Sequence, residues 1–337
     1  MKRVTHLFLF SVAVLTVVLA CGGRVSAAKY INIAVIGDIP RVSKSQDPQK
    51  LVDQVIAFWE KQLNQVLPSR PDLIVLTEAC DRPAGLSREE QLAYFEVRKD
   101  QVREYFSIVA KRNNCYIAFG TKRFDESGTL WNSTYVLDRS GKVAGIYNKN
   151  FPTIGELNSG IEASDEVPLI ACDFGNVVCA ICYDLNFPEL LEKIRKAGPD
   201  LILFSSMYHG GLVQNYWAYA SRAFFVGSIG DRGAPSQIRD PQGDVLAATT
   251  NYFNYLTARV NLDCALVHLD GNGGKLVRLK EQYGEGVTIK DPGLVGSVLV
   301  TSETDVPVAQ MIREFDIELL DDYFDRSRAE RVKQFNR

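Results

Sequence analysis

The chain passes from a buried strand into a helix at Cys179-Ala180-Ile181-Cys182-Tyr183-Asp184-Leu185-Asn186-Phe187-Pro188-Glu189-Leu190. The apolar run before Cys182 is typical of a buried strand, and Asn186 with Glu189 forms the pattern of a helix capping box. A side chain at such a junction stands exposed at the edge of a sheet. A thiol there lies near a helix N-terminus, whose partial positive charge favours the thiolate. Cys182 is therefore a candidate nucleophile.

Two other interpretations of this segment stay open on the residues alone. Cys179 and Cys182 could form a disulfide or half of a metal site, or Cys182 could be an inert core cysteine. A disulfide or metal site needs the two sulfurs to converge, whereas a strand over 177–182 points them to opposite faces. No second cysteine pair or nearby histidine completes a zinc set in the sequence.

On both sides of this junction, predicted strands alternate with predicted helices, and hairpins interrupt the alternation. Apolar runs predict strands at 30–36, 73–76, 115–119 (ended by Gly120), 201–204, 225–229 and 255–260, with hairpins around 139–142 and 174–176. Helices are predicted after Asp47-Pro48, from the Ser87 capping box to about Lys111, from Pro188 to about Lys196, and over 212–224. This pattern predicts an α/β fold with mixed sheets, in which two sheets pack face to face with helices outside.

Composition sets the class of protein and its division into domains. The 337 residues are 46% hydrophobic and 23% charged, enough to bury a real core. A net charge of −3, three histidines and no basic run argue against a nucleic-acid binder.

No Pro/Gly/Ser linker divides the chain, so one domain is predicted over 28–263. Residues 264–337 are predicted to be an extension that packs on the domain or on a partner subunit, and that ends in a helix over roughly 305–334.

The N-terminal residues have the pattern of an export signal. Lys2 and Arg3 precede an apolar run over 7–20, which spans about 21 Å as a helix and is too short for a bilayer core of about 30 Å. We therefore expect a signal peptide over 1–27, cleaved before Ala28. The alternative is a lipoprotein signal that ends at residue 20 and leaves Cys21 lipidated. Either way the protein is predicted to be exported, as a periplasmic or secreted protein or lipid-anchored at the membrane surface, without a transmembrane span.

Charged residues follow two of the predicted strands. Glu78 comes just after the run 73–76, where a carboxylate is costly unless it is used or paired, and where desolvation would raise its pKa as a general base requires. Lys149 lies just past the strand at 143–147, and Glu156 follows after a turn; a cation beside a carboxylate could hold a developing oxyanion. Taken singly, Glu78 fits an ordinary strand-end Glu at a solvated rim better, and Lys149 with Glu156 fits a surface ion pair better.

Together the three segments resemble the nitrilase, or carbon–nitrogen hydrolase, superfamily. Its members carry a Glu at a strand end, a Lys in a segment that continues through Pro to Glu, and a Cys in a Cys-x-Asp-x-x-Phe-Pro-Glu-like segment. All three occur here in the family's order, within roughly residues 30–263. Two positions depart from the pattern: Asn186 stands where many members have Arg, and Arg222-Ala223-Phe224-Phe225 lacks the usual acid or amide after the Ala.

The resemblance implies a four-layer α-β-β-α sandwich and a homodimer or higher homo-oligomer that pairs through outer helices. It also implies a covalent mechanism without metal or organic cofactor. Cys182 would be the nucleophile, Glu78 the general base, Lys149 and the backbone N–H of Tyr183 the oxyanion donors, and Glu156 the residue that orients Lys149.

The function that follows is hydrolysis of a non-peptide C–N bond in a small amide or N-carbamoyl substrate, through a thioester on Cys182. Nitrile hydrolysis, acyl transfer to an amine, and a catalytically silent relative that binds a ligand or partner are the alternatives. A thiol oxidoreductase that uses Cys179 and Cys182 is a further one. Tyr208 and His209 follow a predicted strand end near the site and are candidate substrate-binding residues.

Overall fold

Strands and helices alternate along the chain in a computed structural model that describes residues 29–42, 45–231 and 233–335. The predicted signal peptide and the lipidation alternative at Cys21 lie outside the described residues. The strands are β1 (Tyr30–Ile36), β2 (Leu73–Leu76), β3 (Tyr116–Phe124), β4 (Leu130–Leu137), β5 (Val143–Asn148), β6 (Ile170–Cys172), β7 (Gly175–Ile181), β8 (Leu201–Ser206), β9 (Phe224–Ile229), β10 (Gln237–Arg239), β11 (Val245–Ala248), β12 (Tyr255–Asn261), β13 (Cys264–His268), β14 (Val287–Lys290) and β15 (Ser297–Ser302). The α-helices are α1 (Pro48–Val66), α2 (Arg88–Arg98), α3 (Gln101–Asn113), α4 (Ile154–Asn158), α5 (Pro188–Ala197), α6 (Leu212–Ser221), α7 (Gly273–Tyr283), α8 (Val308–Glu314) and α9 (Leu320–Phe335).

Two six-stranded mixed sheets form the centre of the molecule. Their strand orders are β12-β1-β2-β3-β4-β5 and β11-β10-β9-β8-β7-β6, with parallel pairs in the middle and antiparallel pairs toward the edges. Apolar side chains of both sheets, such as Val35 and Val177, share one core between them. The hydroxyl of Ser205 also donates across the sheets to the carbonyl of Leu76, at 2.9 Å.

Helices cover the outer face of each sheet. Trp59 of α1 and Phe106 of α3 pack in the core beneath the first sheet. Ile194 of α5 and Trp217 of α6 pack in the core beneath the second. The layers therefore run α-β-β-α, which confirms the predicted four-layer sandwich. None of the helices in the described part of the chain combines the length and the apolar character needed to cross a bilayer.

One long helix was predicted from the Ser87 capping box to about Lys111, and this prediction is wrong. The capping box is present, but α2 ends at Arg98 and α3 begins at Gln101. Lys99 between them has a φ of 42°, outside the helical region. Arg98 is held inside the protein by an ion pair with buried Asp81, at 2.7 Å, and it also donates to the carbonyl of Lys99, at 3.1 Å. This tertiary contact sits at the break in the helix.

Gly120 was predicted to end a strand, and this prediction is also wrong. β3 continues through Gly120 to Phe124, and the backbone of Gly120 pairs with Thr77 and Cys80 in the segment that follows β2. A Cβ at this position would lie 2.6 Å from the Cα of Glu78. The glycine is therefore required for the close approach of two backbones, not for a turn.

The residues after Asp263 form a smaller layer of their own. β13, β15 and β14 make an antiparallel sheet, and the helices α7 and α8 pack on it. This part contacts the rest of the chain through ion pairs of Arg222 with Asp321, at 2.9 Å, and of Lys290 with Asp244, at 2.6 Å.

The single helix predicted over 305–334 is wrong, because α8 and α9 are separated by a turn in which Asp316 has a φ of 51°. The predicted homodimer stays a prediction.

Changing Gly120→Ala should destabilise the fold, because its Cβ would meet backbone atoms that cannot move independently. We expect a loss of about 1–3 kcal/mol in the free energy of unfolding, typical of overpacking. Gly273→Ala is the matched control, since a Cβ there meets nothing within 4 Å at the start of α7. Urea denaturation would measure both variants. Equal midpoints for Gly120→Ala and the wild type would contradict the close approach.

Candidate active site

Three strand ends and one short helix bring the predicted polar residues to one place. Glu78 follows β2, Lys149 follows β5 and Cys182 follows β7, while Glu156 lies in α4. β2 belongs to the first sheet and β7 to the second, so the site lies where the ends of the two sheets meet. Glu78 and Lys149 are buried, and Cys182 and Glu156 are half-buried.

Lys149 stands between the two carboxylates. Its Nζ lies 3.1 Å from Oε1 of Glu78 and 2.8 Å from Oε2 of Glu156, and only 1% of its side chain is exposed. Burial by itself lowers the pKa of Lys149, but the charges of Glu78 and Glu156 outweigh burial, so its pKa is raised. For Glu156, burial raises the pKa, and Lys149 more than offsets this, so the net pKa is lowered. Lys149 and Glu156 are therefore a stable ion pair at neutral pH.

Asn132, the third residue of β4, joins the same network. Its Nδ2 donates to Oε1 of Glu78, at 2.8 Å, and to Oε1 of Glu156, at 2.7 Å. The side chain is fully buried and its two amide hydrogens are thus shared between the two carboxylates. Asn132 holds the two glutamates in a fixed relation to each other. Asn132 is not among the residues predicted from the sequence, although an amide in the interior of a strand is a signal that points to such a role.

Cys182 occupies an unusual backbone conformation. It begins a 3₁₀ turn over 182–186 directly after β7, with a φ of 49°. Non-glycine residues enter this left-handed region at a cost, which is typical of nucleophiles held on a sharp strand-to-helix turn. Burial and the nearby charge of Glu78 raise the pKa of the thiol to about 11, although Lys149 lowers it in part. The resting sulfur is therefore protonated at neutral pH, and a base is required to form the thiolate.

Asp184 fixes the Cys182 turn against the Lys149 segment. Its carboxylate accepts the N–H of Ile181 and the hydroxyl of Tyr147, both at 2.8 Å, and the N–H of Phe151, also at 2.8 Å. Tyr147 and Phe151 lie two residues on either side of Lys149. Burial raises the pKa of Asp184 to about 6, against the three donors, which lower it. One buried carboxylate thus sets the position of the thiol relative to the ammonium group.

The N–H of Tyr183 is the second predicted oxyanion donor. It lies in the first turn of the 3₁₀ segment, where N–H groups have no carbonyl acceptor within the helix.

The capping box predicted at Asn186 and Glu189 is wrong. Phe187 is the N-cap of α5, and the amide of Asn186 instead donates to the carbonyl of Tyr183 and the hydroxyl of Tyr208, both at 3.0 Å.

A cavity of about 350 Å³ opens in front of these groups. It is lined by Glu78, Lys149, Glu156 and Cys182, and additionally by Arg82 and Lys122, which the sequence analysis missed. Met207 lines it as well, whereas its neighbours Tyr208 and His209 do not. His209 contacts Gln237, at 3.0 Å, and accepts the N–H of Gly211. The substrate-binding role of Tyr208 and His209 stays a prediction.

The arrangement offers a thiol, a buried carboxylate beside it and an ammonium group in one small cavity. Cys179 is a free thiol buried in the core between the sheets, and it is not among the residues that line the cavity. Within the described ranges, no group of three or more His, Cys, Asp or Glu side chains is placed to hold a metal ion. The chemistry available to the described side chains is nucleophilic attack by sulfur with proton transfer to a carboxylate.

The raised pKa of Cys182 leads to a measurable pH dependence. Only the thiolate reacts with iodoacetamide, so we expect labelling of Cys182 to rise by about tenfold per pH unit from pH 8 to 10. Glu78→Gln should move the midpoint of this curve to lower pH, because the carboxylate is one of the groups that raise the thiol pKa. Labelling would be followed by peptide mass spectrometry.

Glu60→Gln also removes one carboxylate, but from an exposed position on α1. This variant is the control and should leave the midpoint of the Cys182 labelling curve unchanged. A wild-type midpoint below pH 8 would contradict the buried, protonated thiol. A midpoint that Glu78→Gln moves upward would contradict the electrostatic contact between Glu78 and Cys182.

Comparison with known proteins places these features in a wider group. A hydrolase of Schizosaccharomyces pombe, C26A3.11, is 24% identical over 201 residues, which cover 53% of this chain and 62% of that protein. The "hydrolase in pqqF 5'region" of Pseudomonas protegens is 26% identical over 183 residues, which cover 53% of this chain and 63% of that protein. The chain thus spans less than two thirds of the length of these relatives.

Solved structures share the fold at low identity. The Caenorhabditis elegans NitFhit protein aligns with a TM-score of 0.60 at 20% identity, over 76% of this chain and 64% of that one. A mutant of an amidase of the nitrilase superfamily from Nesterenkonia AN1 aligns with a TM-score of 0.59 at 15% identity, over 69% of this chain and 91% of that one.

The profile of the carbon-nitrogen hydrolase family matches residues 33–265. This range is more than half of the chain and contains Glu78, Lys149, Glu156 and Cys182. Both central sheets lie almost wholly within it. The chain therefore belongs to the carbon-nitrogen hydrolase family.

Proposed function

We propose that this protein hydrolyses a non-peptide C–N bond, in an amide or N-carbamoyl substrate, through a thioester on Cys182. The observation that carries the proposal is the buried Lys149, held between Glu78 and Glu156 in the cavity that Cys182 lines. A thiol, a general base and a fixed cation are the groups that this reaction requires.

In the first step Glu78 takes the proton of Cys182 and the sulfur attacks the carbonyl carbon of the substrate. A C–S bond forms, and the electron pair of the carbonyl π bond moves to oxygen. With a thiol pKa of about 11, few molecules hold a free thiolate at neutral pH. Removal of the proton during attack is thus more effective than reliance on the resting thiolate, and Glu78 is the base.

The negative oxygen of the tetrahedral intermediate lies between Lys149 and the backbone N–H of Tyr183. Lys149 stays charged because both neighbouring carboxylates raise its pKa. A single oxyanion donor contributes about 2.7–4 kcal/mol to transition-state stabilisation in enzymes where it was removed. Glu156 orients Lys149, and through Asn132 it is tied to Glu78.

The intermediate then collapses. The C–N bond breaks, Glu78 gives its proton to the departing nitrogen, and ammonia or an amine leaves. A water molecule, deprotonated by Glu78, attacks the thioester carbon. The C–S bond then breaks, and Glu78 returns the proton to the leaving sulfur, which restores the thiol. The name of the Nesterenkonia neighbour, an amidase, supports an amide rather than a nitrile as the substrate.

We also propose that the protein is exported. The support is the sequence alone: two basic residues followed by an apolar run too short to span a bilayer. After expression of the full chain in a bacterial host, intact mass should show loss of residues 1–27, or a lipid on Cys21 with loss of residues 1–20. A full-length product retained in the cytoplasm would contradict export.

Ammonia release from a panel of primary amides, N-carbamoyl compounds and nitriles tests the proposed reaction. We expect Cys182→Ala to lower release by at least about 10³-fold, as loss of a covalent nucleophile does in other hydrolases. Cys179→Ala is the matched control and should retain activity, because this thiol lies in the core away from the cavity.

Release that survives in Cys182→Ala would contradict the nucleophile. Release that disappears in a folded Cys179→Ala variant would contradict the position of Cys179 away from the site. A 179–182 disulfide in active protein would favour the thiol oxidoreductase instead.

A further inference from the structure

Two cations in the cavity have no part in the proposed mechanism. Arg82 follows Glu78 by four residues in the loop after β2, and Lys122 lies on β3. Together with Lys149 they give the lining three cations against the two carboxylates, Glu78 and Glu156. Since both carboxylates already bind Lys149 and Asn132, the cavity has an excess of positive charge.

The guanidinium group of Arg82 is only partly satisfied. Its Nε is buried and has no hydrogen-bond partner among the described residues, while Nη1 donates to the carbonyl of Pro83, at 3.3 Å. Burial lowers the pKa of Arg82, and the carboxylates of Asp81 and Glu78 offset this only in part. Because Arg82 also lines the cavity, an anion bound there would pair with the charge of its guanidinium group.

Lys122 is similarly short of a close anion. Its nearest carboxylate oxygen in the described structure, Oε1 of Glu156, is 3.8 Å from Nζ, and 16% of the Lys122 side chain is exposed. That oxygen already accepts Asn132 at 2.7 Å. Burial lowers the pKa of Lys122, and Glu156 offsets this in part. An anion that enters the cavity would complete the coordination of this ammonium group.

The position of the two cations indicates where such an anion lies. Arg82, Lys122 and Glu156 line a second cavity of about 320 Å³ as well, whereas Cys182 lines only the first. The cations therefore stand on the wall shared by the two cavities. Ile39, Ala79 and Met207 give the first cavity apolar surface for a short aliphatic chain.

We propose that Arg82 and Lys122 bind a carboxylate of the substrate, so that the enzyme acts on amides or N-carbamoyl compounds that carry a carboxylate on a short aliphatic chain. The proposal rests on the proposed C–N hydrolase function and specifies its substrate class. A planar guanidinium pairs with both carboxylate oxygens, and an ammonium adds a point charge. Neutral amides of equal length would leave both cations without an anion.

Matched substrate pairs test this preference. The half-amides of succinic and glutaric acid would be compared with butyramide and valeramide, and N-carbamoyl-β-alanine with propylurea. We expect kcat/KM to be about tenfold to a hundredfold higher for the anionic member of at least one pair, the usual range for a charge-assisted hydrogen bond. Arg82→Gln and Lys122→Met should each lower this ratio. Lys142→Met, an exposed change in the turn before β5, changes the net charge equally and should leave the ratio unchanged.

A second readout does not depend on turnover. Glutarate should protect Cys182 from alkylation by iodoacetamide, in which a C–S bond forms and iodide leaves, whereas neutral 1,5-pentanediol should not. Protection should weaken in Arg82→Gln and in Lys122→Met, and Cys182→Ala would subtract labelling at other cysteines. Thermal melting would show whether each variant is folded. If only one of the two variants folds, the protection measured in that variant decides the test.

The outcomes are distinct. Equal kcat/KM within every pair, together with no protection by glutarate, would overturn the carboxylate subsite while the hydrolase function stands. Protection that depends on Arg82 and Lys122, without hydrolysis of any substrate, would support the subsite and contradict the proposed function. A preference that persists unchanged in both variants would overturn the assignment to these residues.

Discussion

A buried ammonium group requires opposite charge around it, and this requirement organises the site. Lys149 is almost fully withdrawn from water, and a lone charge there would be very unfavourable. Glu78 from the end of β2 and Glu156 from α4 supply that charge, and Asn132 of β4 joins the two carboxylates. Each of these groups lies on a different element. The first sheet must therefore be correctly assembled before the charges can pair.

A different buried carboxylate, that of Asp184, connects the second sheet to the site. Asp184 accepts hydrogen bonds from Tyr147 and Phe151, which flank Lys149, and from Ile181, which precedes Cys182. The position of the nucleophile relative to the cation is thus set by three short hydrogen bonds and not by the packing of apolar side chains alone. Polar contacts of this kind are directional, so they define a distance between reacting groups more sharply than core packing does.

The sequence predicts the residues at strand ends well and the residues within strands poorly. Glu78, Lys149 and Cys182 each follow an apolar run, and the abrupt change from apolar to polar is visible in the local pattern. Asn132 lies inside a strand, and its role depends on partners 54 and 24 residues away in the chain. Lys122 carries no local signal at all. The break at Lys99 and the length of β3 beyond Gly120 likewise depend on tertiary contacts, with Asp81 and Glu78, that no local pattern contains.

The left-handed backbone of Cys182 limits how this family member can change during evolution. A β-branched side chain is poorly tolerated at positive φ, so threonine could not take over as the nucleophile without a shift of the turn. Serine fits the same conformation, but its hydroxyl is a far weaker nucleophile at an unshifted pKa. Glycine and asparagine would relieve the backbone and abolish the chemistry. Single substitutions that relieve the strained backbone at this position therefore abolish activity. Loss of the nucleophile, which gives a catalytically silent relative, requires less change in the turn than its replacement by a different nucleophile.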